Sequence, residues 1–144
     1  MDQVLIVAAE ASSVTYAQRI LEAWKRKGRK VHAFGVGSQD MEDIGFERLG
    51  KSEEMAVVGA AEIISAYSHL KSVFDSLVAE AEKRRPKVAI VMDYPEFNLM
   101  LAKKTARIGN PGCLLHFPAG VGMAQRPCED DQKVLQKSIR FVPV

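Results

Sequence analysis

The sequence predicts an α/β protein with a doubly wound parallel sheet, and three observations carry that prediction. Val88 to Met92 run as five apolar residues without a polar break, the pattern of a strand buried on both faces of a parallel sheet. Val4-Leu5-Ile6-Val7-Ala8 reads the same way near the start of the chain. Between that run and a second apolar stretch, Val31 to Val36, lies a segment with helical spacing. A strand–helix–strand unit of this kind crosses over right-handed into a parallel sheet.

Each element has its own warrant. Over about Thr15 to Lys27, Ala17, Ile20, Leu21 and Trp24 share one helical face, and Arg19, Glu22, Lys25 and Arg26 the other. Gly28 is placed to end that helix. Gly37 to Gly45 predicts a loop with a short helix, and Phe46 to Leu49 a short strand. Ile63, Ile64, Tyr67, Leu70, Val73, Phe74, Leu77 and Val78 recur at three and four. They predict a helix of about five turns that ends at Lys83-Arg84-Arg85, a solvated basic end before Pro86. Pro95 closes the Val88 strand. Leu99, Leu101, Ala102, Ala106 and Ile108 then predict a helix reaching Gly109.

Bulk properties bound the function. The chain has 144 residues, 47% hydrophobic and 26% charged, so one globular domain with a real core is expected. A net charge of +2 gives no argument for a nucleic-acid partner. No apolar run approaches the roughly 18 residues of a membrane span. Val4 to Ala9 is too short for a signal peptide, so the cytoplasm is the expected compartment. Cys113 and Cys128 make neither a disulfide framework nor a metal site, and no cofactor is expected.

The candidate chemistry lies where strands end. Asp93 directly follows the Val88–Met92 strand, and ligands bind at the carboxyl ends of strands in open α/β sheets. An acid there is a candidate general base, or equally a cap for the next helix helped by Asn98. The turn Ala9 to Ser13 joins strand to helix, and backbone N–H groups there can hold an anion. It lacks G-x-G-x-x-G, and Ser12 or Ser13 reads first as an N-cap and second as a ligand contact. The segment Val57 to Phe74 is either a core-facing crossover helix or an apolar patch for lipid.

Four short runs resemble the lipid-A-disaccharide synthase family. Ala8-Ala9-Glu10-Ala11-Ser12-Ser13 is similar to its opening A-G-E-x-S-G-D. Phe34-Gly35-Val36-Gly37-Ser38-Gln39-Asp40-Met41 resembles F-x-G-V-G-G-P-x-M. Glu53-Glu54-Met55-Ala56-Val57-Val58-Gly59 resembles M-E-E-L-A-V-M-G, and Asp93-Tyr94-Pro95-Glu96-Phe97-Asn98 resembles D-x-P-D-F-N. Ala9 stands in place of glycine, and Ser13-Val14 in place of Gly-Asp. The likeness covers residues 1 to 109. It implies the amino-terminal, acceptor-side Rossmann-like domain of a GT-B glycosyltransferase. That family moves diacylglucosamine from UDP-2,3-diacylglucosamine to 2,3-diacylglucosamine 1-phosphate and releases UDP. The resemblance places the base at Asp93, and Glu10, Ser12 and Asn98 on the acceptor side. It sets Val57, Val58, Ile63, Ile64 and Phe74 against acyl chains and the inner-membrane surface, making the protein peripheral on that membrane. The rival expectations are a flavodoxin-like module that binds nucleotide or flavin without catalysis, and the inactive product of a broken gene.

Residues 110 to 144 change texture. They hold four of the six prolines and both cysteines. Shifted by one base, codons for Asn110 onward can read Ile-Pro-Gly-Val-Tyr-Tyr and then Ile-Ser-Pro-Gln-Val-Trp-Ala-Trp-Arg, which is the family's S-P-x-V-W-A-W-R. Met123-Ala124 is encoded ATG-GC, so that frame must contain the tryptophan codon TGG. The expectation is a truncated domain over 1–109, with a poorly ordered, out-of-frame tail over 110–144 and a sheet that lacks its next strand.

Overall fold

A computed structural model describes residues 1–55, 63–92, 95–107 and 113–116; the side chains of 63–66, 95–96, 99, 106 and 113–116 lie outside that description. The elements alternate as expected: β1 (Asp2–Ala8), α1 (Ala11–Arg26), β2 (Val31–Gly37), α2 (Gln39–Asp43), β3 (Glu47–Lys51), α3 (Ser52–Met55), α4 (Ile63–Arg84), β4 (Val88–Met92), α5 (Pro95–Arg107) and β5 (Cys113–His116). The sheet has five strands in the order β3-β2-β1-β4-β5, and every pairing is parallel. β1 lies at its centre. Successive strands first step to one side of β1 and then to the other, so the sheet is doubly wound.

Two apolar layers follow from the period-two alternation of buried strands. Leu5, Val7, Phe34, Val36, Ala89 and Val91 face Val73, Leu77 and Ala81 of α4 and Leu101 and Ala102 of α5. Val4, Ile6, Ala8, Ala33, Ile90 and Met92 face Ala17, Trp24 and Ile20 of α1 and Met41 of α2. Helices therefore cover both faces of the sheet.

Several expectations are corrected in detail. Helix α1 begins at Ala11 rather than about Thr15. At its other end the Gly28 N–H donates to the Lys25 carbonyl and the Arg29 N–H to that of Trp24, with Gly28 at φ +63°. This is a Schellman stop, as the glycine implied. Helix α5 starts at Pro95, where a missing N–H costs nothing in the first turn. Tyr67, placed on the apolar face of α4 by its spacing, is 68% exposed. The sheet does not stop at β4: Ala89 to Met92 pair with Cys113 to His116.

The basic end of α4 is not simply solvated. Arg84 makes a two-pronged bond to Glu47 on β3, both contacts 2.7 Å, and also pairs with Glu80. Its guanidinium lies 4.7 Å from the centre of the Phe34 ring. His32 joins this group through Glu47 at 3.2 Å and Gln3 at 2.9 Å. One charged cluster thus ties α4 to β1, β2 and β3. The Arg84 hydrogen bond, with its charge, holds the Glu47 carboxyl below the ordinary carboxylate range.

Gly35 explains part of the Phe34–Met41 run. Its φ is +141°, and an added Cβ would lie 2.1 Å from the Ile6 carbonyl oxygen on the neighbouring strand. Backbone cannot yield by that much without breaking the β1–β2 pairing. Gly35→Ala should therefore lower unfolding free energy by about 3 kcal/mol or more. Urea denaturation measures it, and a loss below about 1 kcal/mol would show that the strands can separate there at little cost.

Candidate functional site

The strand order reverses between β1 and β4, and in a doubly wound sheet a crevice opens outside the carboxyl ends at that reversal. The register here is fixed. Ala8, the last residue of β1, pairs with Met92, the last residue of β4. The turn Ala9-Glu10 leaves β1 at this edge, and Asp93 is the next residue of the chain after Met92. Asp93 itself lies outside the described residues. The pairing thus brings together the two strand ends that carry the first and the fourth family-like runs.

Glu10 is the N-cap of α1, with extended backbone at φ −101° and ψ 159°. Its N–H donates to the Ser13 hydroxyl at 3.1 Å, and that hydroxyl donates to the Glu10 carbonyl at 2.8 Å. Ser13 is buried at 2% exposure. Of the two capping candidates, Ser13 closes the helix start, from its third position rather than from the cap itself. Glu10 and Ser12 are exposed. Their side chains are open to solvent at the carboxyl edge, as a ligand contact requires.

Asn98 is different. It sits inside α5, not before it, and is 1% exposed. It lies within the first turns of that helix, enclosed by the fold. Phe74 is partly buried against the α4–α5 core, with its ring edge-on to Phe97 at 5.3 Å between centres. Val57 and Val58 lie outside the described residues, as do the side chains of Ile63 and Ile64.

Sequence reasoning missed a second group at this edge. Arg48 on β3 reaches Gln39 Oε1 at 2.7 Å, Glu42 Oε2 at 3.0 Å and Glu53 Oε2 at 3.3 Å. Glu53 Oε1 also accepts the Gln39 backbone N–H at 3.2 Å. Hydrogen bonds from backbone N–H groups, its own first and then that of Gln39, hold the Glu53 carboxyl below the ordinary range, and Arg48 adds to this. Glu54 turns the other way, to His69 at 2.9 Å and Lys51 at 3.1 Å. The only sequence cue was acid and base at unremarkable positions, which periodicity does not read. Among the described residues no cluster of three or more His, Cys, Asp or Glu side chains is arranged to hold a metal. No described helix is long and apolar enough to cross a membrane.

Comparison with known proteins now decides the family. A family model described as lipid-A-disaccharide synthetase matches residues 4–119. The chain belongs to the lipid-A-disaccharide synthase family. Lipid-A-disaccharide synthase of Anaeromyxobacter dehalogenans strain 2CP-C is 38% identical over 142 residues, which are 99% of this chain and 37% of the relative. The enzymes of Koribacter versatilis and Myxococcus xanthus are 37% and 34% identical over 77% and 76% of this chain, and over 29% and 28% of their own lengths. The family is one of glycosyltransferases. The chain spans little more than a third of its A. dehalogenans relative's length. The likeness also runs past residue 109, where the four motifs alone had ended it.

The two serines of the β1–α1 turn separate experimentally. Ser13→Ala removes the hydroxyl that answers the Glu10 N–H, and should cost about 1 kcal/mol of stability. Ser12→Ala, at an exposed position, should stay within about 0.5 kcal/mol. Equal losses in thermal or urea unfolding would overturn this assignment.

Proposed function

We propose that this chain forms the acceptor-side domain of a GT-B lipid-A-disaccharide synthase. The donor is UDP-2,3-diacylglucosamine and the acceptor 2,3-diacylglucosamine 1-phosphate; UDP is released. The observation that carries this reading is the Ala8–Met92 pairing, which sets the Glu10 turn beside the strand that leads into Asp93. Transfer to a sugar hydroxyl asks for a base at the acceptor and for stabilisation of the leaving nucleotide. Asp93 takes the base role. Glu10 and Ser12 bind the acceptor's polar groups. Asn98, on α5 just past that edge, stands with them on the acceptor side.

Asp93→Asn tests the base. In a chain of its relatives' full length, turnover should fall by a factor of about 100 or more, with acceptor binding nearly unchanged. Turnover within about threefold of the parent would remove Asp93 from that role.

The substrates are acylated, so the site must meet lipid. Val57, Val58, Ile63 and Ile64 form the contact with acyl chains and the inner-membrane surface, and Phe74 anchors the base of that segment in the α4–α5 core. The protein is then cytoplasmic and peripheral. Ile63→Ser with Ile64→Ser should weaken sedimentation with anionic vesicles while the melting temperature holds. Lost stability with unchanged vesicle binding would return the segment to the core.

Residues 110–144 are read as an out-of-frame continuation, on the strength of the S-P-Q-V-W-A-W-R reading and its obligatory tryptophan codon; the family match to residue 119 and the alignment over 99% of the chain weigh against it. β5 does not decide the frame, because pairing there asks only for a short apolar segment such as Cys113-Leu114-Leu115. The gene's nucleotide sequence does. After removal of one base beyond the Gly109 codon it should encode that run within a longer open frame. Early stops or a missing tryptophan pair would end the reading.

A further inference from the structure

Two of the family-like runs, Phe34–Met41 and Glu53–Gly59, take no part in the chemistry proposed above, yet both send residues to one guanidinium. Arg48 lies between them on β3. Its side chain is 12% exposed and meets Gln39 and Glu42 of α2 and Glu53 of α3. Glu53 completes the loop by accepting the first backbone N–H of α2, and Ser38 accepts that of Met41 at 3.4 Å. The amino end of α2 is thus occupied by this chain's own groups. It is built as a fixed wall, not as an anion site.

The place of that wall matters. Val7 pairs with Val36, so the chains leave the sheet side by side, one into Ala9-Glu10 and the other into Ser38-Gln39. We propose that Arg48 is a positioning residue for the acceptor: by clamping the β2–α2 turn to α3, it fixes the shape of the carboxyl edge beside Glu10. This rests on the acceptor-side reading above. Arginine suits the task because its planar fork can meet acceptors on two elements at once, whereas a lysine ammonium is a compact point charge on a flexible stem. The clamp orders a short helix of five residues that could not hold itself in place by its own hydrogen bonds.

The test is equilibrium binding of micellar 2,3-diacylglucosamine 1-phosphate to the whole 144-residue chain, with melting curves alongside. The variants are Arg48→Gln, Arg48→Lys, Glu53→Gln and the double change Arg48→Gln with Glu53→Gln. Arg48→Gln should weaken binding by about tenfold or more, with a melting shift of only a few degrees. Arg48→Lys should recover part of the affinity. The double variant should bind no worse than Arg48→Gln alone, because the two residues act through one contact. If the parent binds and Arg48→Gln binds equally well, the inference fails and the acceptor-side reading stands. Affinity that falls only in step with melting temperature across the four variants makes Arg48 merely structural, which also overturns it. A parent that binds no acceptor at all removes the acceptor-side reading and this inference with it.

Discussion

The site depends on one register, the hydrogen-bonded pairing of β1 with β4 from Val4–Val88 to Ala8–Met92. Side chains alternate with period two, so a slip of one residue would turn each strand's buried set to the other helix layer. It would also stagger the two strand ends. Both layers are fully committed here, with Leu5 and Ile6, neighbours on opposite faces, each at 0% exposure. The apolar core therefore fixes the register, and the register sets Ala8, just before the Glu10 turn, level with Met92, just before Asp93. Chemistry at the edge inherits its geometry from burial beneath it.

The neighbouring strand is held by a different device. Gly35 lets β2 approach Ile6 more closely than any side chain would permit, and the β2–β3 register shifts just after it, between Gly35 and Val36. Gly37 and Gly50 show the same economy. A Cβ on Gly37 would meet the Met41 side chain at 2.8 Å, and one on Gly50 would meet Val73 at 2.8 Å. These glycines let α2 and α4 settle close to the sheet. Arg84 then fastens the far end of α4, using Glu47, Glu80 and the Phe34 face together. An isolated surface ion pair contributes little, but a guanidinium held by two carboxylates and an aromatic ring, at 21% side-chain exposure, is shielded from that discount.

Much of this was legible in the residues because apolar periodicity reports burial directly. β4 falls where the unbroken run Val88–Met92 placed it, and α1 and α4 follow their three-and-four spacing. What was not legible has physical reasons too. The start of α1 was misplaced because Ala11 and Ser12 carry no apolar mark, while the closing bond comes from Ser13 at the third position. Tyr67 obeyed the spacing but lies in the first turns of α4 on an exposed side, at 68% exposure beside Lys71. β5 escaped because three apolar residues, Cys113 to Leu115, among prolines and glycines show no period. The Arg48 clamp escaped because ion pairs between elements depend on tertiary distance, and the sequence offers no rule for that.

The openness of the edge bears on how it works. Glu10 and Ser12 face solvent, and hydrogen bonds and charges act weakly in water compared with a site from which water is excluded. The exposed side of α4 is no alternative: its Lys71 and Asp75 are paired with each other at 2.7 Å. The lipid-A-disaccharide synthases that this chain resembles are far longer than it is. The carboxyl edge is thus one wall of a site, held rigid from below by the β1–β4 register and from the side by Arg48. On the proposed reading, a base at Asp93 acts effectively only where a second surface excludes water from this edge.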